Sequence, residues 1–469
     1  MTIVIRSVAA LFGAIASVVA LSLSWTTPPV LLSANTAALI MGGSFHPLMG
    51  PKDRPDFVKD YLDNAVTGFL EPAFGTFGPV TNAVAVYTPE EFFPLGRLTF
   101  EKSLAQGLAN LGRCVAATSD CVFNEDPLVG SAAPESGDAM LVFGYSQSAV
   151  IASLLKRELM EKYGPDAAPV SFVLDANSMR PNGGILMRFE GWPTIPILGI
   201  PFPGASPTGS VDSIYRTIDI VRQYDGLGGD FPVRPLNLIA TLNALLGYGM
   251  LHGETVNVPL SEASYQGREG DTSYYLIETD IVPLLQPFRL FVPKPILTAI
   301  DAPLRVIIED AYDRDIGPGV PTRASWRPIK DFVGTAARLL ASIPVAVDNL
   351  TEGFGLGRVL GTTNPGPFGV GGPELPSEQD DDTAEPVVQE TVPSPYKDER
   401  AAISVVVADE TEDPARREDV DDDPAANVDE RAADPEGVED EAEESAAPEP
   451  EEPAGDAESQ PESDAAEAA

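Results

Sequence analysis

The stretch from Ala139 to Tyr163 constrains the fold more than any other part of the chain. Ala139-Met140-Leu141-Val142-Phe143 is a short, wholly apolar run, followed by the tight turn Gly144-Tyr145-Ser146-Gln147-Ser148. From Ser148 onward, Ala149, Ile151, Leu154, Leu155 and Leu159 recur at the spacing of one helix face. A strand without a polar face must be covered on both sides, which is the situation of parallel strands packed between helices. The turn itself forces small residues close to a helix N-terminus and leaves the serine at its apex.

The rhythm repeats along the chain. Ala37 to Met41 reads as a strand ending in Gly42-Gly43, Val84 to Tyr87 as a second ended by Pro89, and Val170 to Leu174 and Ile218 to Arg222 as two more. Thr99 to Leu111 has helical spacing. The expected architecture is an α/β fold of the α/β-hydrolase type, a mostly parallel sheet with helices on both faces. Two segments break the pattern. Asn182 to Ser206 is rich in Gly and Pro and Pro283 to Ile300 is spaced by prolines, yet both carry large apolar side chains. They read either as apolar loops capping an acyl-chain pocket or as core packing under long loops. Trp326 to Leu350 reads as an amphipathic helix, packed on the body or lying on a membrane surface.

Charge divides the chain. From Glu374 to the end it holds 35 acidic and 5 basic residues, which accounts for most of the net charge of −41. Such a segment repels itself and buries too little apolar surface to offset its chain entropy, so residues 374–469 are expected to be a disordered acidic tail. No basic patch with interleaved aromatics is present, which argues against nucleic acid as a ligand. At the other end, Arg6 precedes an apolar run from Ser7 to Leu23, so residues 1–30 read as an export signal or a retained anchor. No small-x-small cleavage site follows before Thr36, which favours the anchor. Both readings put the domain at 36–350 outside the cytoplasm, at the outer face of the membrane or in the cell envelope. Cys114 and Cys121, the two cysteines, are then expected to form a local disulfide.

A serine hydroxyl attacks well only when a base takes its proton and donors hold the developing oxyanion. Ser146 is the candidate nucleophile, with Gly144 and Ser148 as the small residues around it. The chain has two histidines, and only His252 follows the serine, as the base does in this fold. It comes after Gly247-Tyr248-Gly249-Met250-Leu251, which reads as a loop. The acid is expected past a strand and before the base, so Asp225 is the first candidate and Asp230 the alternative. For the oxyanion hole, the backbone N–H of Gln147 is the expected donor, joined by the loop Gly43-Ser44 after the first strand. Two histidines far apart in sequence argue against a metal site, and this chemistry needs no cofactor.

Several segments together resemble the PE-PPE domain of mycobacteria and their relatives. They include Met41-Gly42-Gly43, Tyr87-Thr88-Pro89-Glu90, Gly144-Tyr145-Ser146-Gln147-Ser148-Ala149 and Arg180-Pro181-Asn182-Gly183-Gly184-Ile185. Gln223-Tyr224-Asp225-Gly226, Asp230-Phe231-Pro232, Pro235-Leu236-Asn237-Leu238 and Tyr274-Tyr275-Leu276-Ile277 continue the series in order, over about Ala37 to Pro321. The resemblance implies a serine hydrolase related to cutinases. A membrane-directed leader before the domain is similar to the Chp-type subgroup, membrane-associated acyltransferases that assemble acylated trehalose lipids. The function so implied is acyl transfer between envelope glycolipids through an acyl-enzyme on Ser146. The competing readings are a lipase or carboxylesterase that releases acyl chains to water and a non-catalytic envelope binding module. One run, Asp175-Ala176-Asn177-Ser178-Met179, departs from the Gly-Asn-Pro-Asn type expected before Arg180.

Overall fold

Strands β1 (Thr36–Ile40), β3 (Ala139–Tyr145) and β4 (Val170–Asp175) are buried at every residue, as their largely apolar sequences favour, with Thr36, Ser171 and Asp175 buried among them. They form the centre of a seven-stranded sheet with β2 (Asn82–Ala85), β5 (Thr217–Arg222), β6 (Ser264–Glu269) and β7 (Thr272–Ile277), in the order β2-β1-β3-β4-β5-β7-β6. All neighbours run parallel except β6, which returns antiparallel to β7. This computed structural model describes residues 35–75, 78–162 and 170–377. The signal or anchor segment at 1–30, the acidic tail beyond Ser377 and the last residue of the helix expected to end at Tyr163 lie outside the described residues.

Helices cover both faces. α2 (Phe100–Val115) and α3 (Gln147–Lys162) bury Leu104, Leu111, Ile151 and Leu155 against Leu39, Val142 and Phe172 of the sheet. On the opposite face, α1 (Pro55–Ala65) and the turn after it bring Val58, Leu62 and Phe69 onto Ile40, Phe143 and Val173. These alternating sets follow from the two-residue period of a strand. The parallel register pairs Ile40 with Phe143, Tyr145 with Asp175, and Asp175 with Ile220, so the carboxyl ends of the central strands meet at one edge. Past that edge run α4 (Leu238–Thr255), a 3₁₀ segment (Pro283–Leu290), α5 (Lys294–Glu309) and α6 (Phe332–Gly353), each packed on the next. Cys114, in the last turn of α2, is disulfide-bonded to Cys121.

Three boundaries differ from the sequence reading. The second strand is Asn82–Ala85, not Val84 to Tyr87: Val86 still donates its N–H to the Ile40 carbonyl at 2.9 Å but also bridges Phe123, and Tyr87 N–H leaves the sheet for the Val122 carbonyl at 3.1 Å. The segment from Pro283 to Ile300 is largely helical. Pro283 and Pro295 stand in first turns, where the missing N–H leaves no helical hydrogen bond unmade, Pro293 precedes α5 as its N-cap, and Pro287 lies inside the 3₁₀ segment, so these prolines do not mark a loop. The amphipathic helix starts at Phe332, where Asp331 caps the N–H of Val333 at 3.2 Å. Trp326 precedes it and stacks on Trp192 at 5.8 Å. α6 packs on the body through α5, burying Ser342, Val345 and Asp348. Among the described residues, no helix is long and apolar enough to cross a membrane.

Candidate active site

β3 ends in a turn whose geometry depends on its small residues. Ser146 has φ +59°, a left-handed conformation that a non-glycine residue holds only when its surroundings enforce it. Its N–H donates to the Asp175 carbonyl of β4 at 2.9 Å, and Ala149 N–H donates to the Ser146 carbonyl at 3.1 Å. A Cβ at Gly144 would lie 2.5 Å from the Ser148 carbonyl oxygen, so only glycine permits α3 to start this close to the strand. The Ser148 hydroxyl accepts from Tyr145 N–H at 2.9 Å and donates to the Tyr145 carbonyl at 3.1 Å. The serine that stands where the elbow pattern favours glycine therefore clamps the turn across its base.

Three sequence candidates meet at this turn. His252 Nε2 lies 2.8 Å from Ser146 Oγ, and His252 Nδ1 lies 2.6 Å from Asp225 Oδ2. Asp225 is fully buried, and its other oxygen accepts the N–H of Gly228 at 2.9 Å. The arrangement sets a hydroxyl beside an imidazole in reach of its proton, with a carboxylate on the ring's other nitrogen, the geometry that nucleophilic catalysis by a serine needs. Asp230 is placed elsewhere. Arg314 holds its carboxylate at 2.7 and 2.9 Å, and Tyr224 N–H donates to it at 2.7 Å, so it braces the loop instead of meeting His252.

His252 is not on a loop. It stands in the last turns of α4, and the nearby glycines that suggested a break are helical. At Gly247 a Cβ would lie 2.0 Å from the Tyr224 carbonyl, so this glycine lets the helix approach the end of β5. The imidazole is sandwiched, stacked on Tyr145 at 5.2 Å and tilted against Tyr248 at 4.6 Å. Tyr145 also donates its hydroxyl to the His252 carbonyl at 2.5 Å. Gly228 leaves room for the pair, because a Cβ there would sit 2.1 Å from Asp225 Oδ2 and 2.7 Å from His252 Nδ1. Tyr145, Tyr248 and Gly228 were not singled out by the sequence. Tyr145 adjoins Ser146, and Tyr248 lies four residues, about one helical turn, before His252, which is the signal that was available.

The expected oxyanion residues are drawn together on the other side. Gln147 opens α3, where the first N–H groups have no intrahelical acceptor. The Ser44 hydroxyl donates to Gln147 Oε1 at 3.1 Å, and Gln147 Nε2 donates to Ser103 Oγ at 2.6 Å and to the Glu91 carbonyl at 3.3 Å. Gly43 lies against the Tyr145 ring, whose Cδ1 would be 2.7 Å from a Cβ at that position. Phe45 N–H donates to the Glu90 carbonyl at 2.7 Å. The loop after β1 is thus laced to the residues flanking Ser146, an arrangement suited to donors fixed before charge develops. His46 turns aside to Asp53, with Nδ1 at 2.8 Å from Oδ1.

Two buried acids adjoin this edge. Asp175 and Glu90 are both fully buried, and none of their carboxyl oxygens has a hydrogen-bond partner among the described residues. Burial, reinforced by the carboxylates of Asp225 and Asp219, holds the Asp175 carboxyl well above the usual range. Burial pushes Glu90 up to about 8.

Comparison with known proteins agrees with this architecture. The PE-PPE domain model matches residues 79–313. The chain is 35% identical over 323 residues to PE family protein PE3 of Mycobacterium tuberculosis, covering 66% of this chain and 62% of that protein. It is 33% identical over 314 residues to Esterase PE16 of the same organism, covering 63% and 52%. A shorter match, 36% over 124 residues, joins it to Diacyltrehalose acyltransferase Chp2, again of M. tuberculosis, covering 25% and 34%. The chain spans between half and two thirds of the length of PE3 and PE16. No solved structure matches it significantly. With the domain model spanning half of the chain, the chain belongs to the PE-PPE domain family.

Proposed function

We propose that this protein is a serine acyltransferase or esterase that works through an acyl-enzyme on Ser146. The observation that carries the reading is the unbroken hydrogen-bond series Ser146–His252–Asp225. As Ser146 Oγ attacks an ester carbonyl, His252 Nε2 takes its proton, and Asp225 stabilises the imidazolium through Nδ1–H. The carbonyl oxygen becomes an oxyanion, held by the Gln147 N–H with support from the Gly43-Ser44 loop. His252 returns the proton to the leaving alcohol, and the acyl group remains on the serine. A second alcohol, or water, then gives up its proton to His252 and attacks the acyl carbonyl, and as the bond to Ser146 Oγ breaks His252 returns that proton to Oγ.

The acceptor separates two versions of the chemistry. Transfer to a sugar hydroxyl of an acylated trehalose-type glycolipid is the first reading, motivated by the likeness to a diacyltrehalose acyltransferase. Transfer to water is the second, motivated by the longer likeness to an esterase. A site at the outer face of the membrane or in the envelope fits both, and the Cys114–Cys121 disulfide suits an oxidising compartment. Incubation of the full chain with a diacylated trehalose, followed by mass analysis, distinguishes the versions. The transfer reading expects trehalose species with more acyl groups than the starting lipid. Free fatty acid as the sole product would leave an esterase, and no turnover of any acyl ester would leave a binding module.

A further inference from the structure

α4 departs from the pattern of a surface helix. From Leu238 to Gly253 it has no charged residue, and both of its faces are apolar. Its inner face buries Ala240, Asn243, Ala244 and Gly247 against the end of β5 and the 3₁₀ segment. Its outer face leaves Leu238 73% exposed, with Ile239, Leu242, Leu245 and Met250 also exposed. A helix apolar all round is ordinarily buried, and a contiguous exposed apolar patch marks a place where something binds. The adjoining 3₁₀ segment extends the patch through Phe288, Leu290 and Phe291, the last two 86% and 82% exposed. The same helix carries His252 near its C-terminus, 2.8 Å from Ser146 Oγ. The apolar face therefore runs toward the reacting serine.

We propose that the outer face of α4, with Phe288, Leu290 and Phe291, docks the protein onto the acyl layer of a lipid aggregate, so that an ester enters the site from that layer. The inference rests on the acyl-ester reading above and adds the surface by which the substrate is met. Side-chain chemistry selects this partner over another protein. Between Leu242 and Gly253 the polar side chains are Asn243, Tyr248 and His252, of which Asn243 is buried and the other two flank the reaction centre. In the 3₁₀ part, Arg289 stands between Phe288 and Leu290 and lies 3.9 Å from Asp280. A protein interface of ordinary size is held by about ten hydrogen bonds across a polar rim, and this face is too apolar to supply them. Acyl chains need none, and a helix with one uncovered apolar face lies readily in the boundary between headgroups and chains.

The disulfide occupies both cysteines, so an introduced cysteine is the single thiol of the full chain. Leu242→Cys, Phe291→Cys and Val211→Cys, each labelled with an environment-sensitive nitrobenzoxadiazole dye, test the proposal on phosphatidylcholine–phosphatidylglycerol vesicles. Val211 is exposed in the loop before β5, near the amino ends of the strands, and serves as the control. The expected result is a blue shift and an emission rise of twofold or more at 242 and 291 on adding vesicles. Lipids brominated in the acyl chains should quench both signals, and 211 should not respond. Unchanged emission at 242 and 291 overturns the proposal, even if the chain sediments with the vesicles. So does emission at 242 that is already blue-shifted without lipid. If that shift varies with protein concentration, a second copy covers the face; if it does not, a segment of the same chain does. Hydrolysis of nitrophenyl butyrate by the same labelled proteins reads the serine chemistry separately, so loss of one signal with retention of the other shows which reading has failed.

Discussion

Ser146 is held in a left-handed turn by hydrogen bonds from both sides, and the groups that act on it are equally confined. The tightest constraint on the base is Gly228. Gly228→Ala would drive a methyl into Asp225 and His252, and kcat for a soluble ester should fall about 10²–10⁴-fold with little change in the fold. Stopped assays beside a far-ultraviolet spectrum would check this. Glu90 gives a pH-dependent prediction. Its carboxyl ordinarily titrates near 4.5 and is pushed up to about 8 by burial, so between those values the folded chain holds a proton that the unfolded chain has lost. The stability this contributes is fully present below about 4.5 and is lost as pH rises through about 8. Glu90→Gln removes the titration. Between pH 5 and 9 the wild type should lose a few kcal/mol, roughly, relative to the variant in urea unfolding. Parallel pH curves for the two proteins would contradict the assignment.

At the scale of elements, the sequence shows the strands well and the helices around the site poorly, for physical reasons. β1, β3 and β4 carry buried apolar side chains on both faces, and such runs admit few structures other than a covered sheet. Ser146 is legible because its turn joins a clear strand to a clear helix, and His252 because the chain has two histidines to choose from. The setting of His252 is not legible. Gly247, Gly249 and Gly253 look like helix breakers, yet they lie within α4, where Gly247 serves a contact with Tyr224 that no local pattern encodes. Asp225 and Asp230 were likewise inseparable by order along the chain. Arg314, more than eighty residues downstream, is what draws Asp230 away. Helix propensity alone says Gly247→Ala should stabilise α4 by about 1 kcal/mol. The contact says the reverse, and urea denaturation should show a loss of about 2 kcal/mol or more, because the helix must retreat from Tyr224.

In the molecule as a whole, the sheet edge gathers the reactive residues while covalent and polar ties hold the far parts. Lys156 of α3, fully buried, donates to Asp271 at 2.8 Å and to Thr217 and Thr272 at 2.8 and 3.2 Å, fastening the helix to the starts of β5 and β7. The Cys114–Cys121 bridge closes a short loop at the end of α2. Loop-closure entropy for so short a span gives it about 2–3 kcal/mol, so Cys114→Ser with Cys121→Ser should lower the unfolding midpoint and leave ester turnover of the folded protein unchanged. The account as a whole stands on Ser146 as the nucleophile. Fluorophosphonate labelling of the full chain, with the adduct located by peptide mass spectrometry, tests that claim most directly. A single adduct on Ser146, absent in Ser146→Ala and greatly slowed in His252→Ala, is the predicted result. Labelling that persists in Ser146→Ala, or a wild-type protein that takes no label, would contradict it.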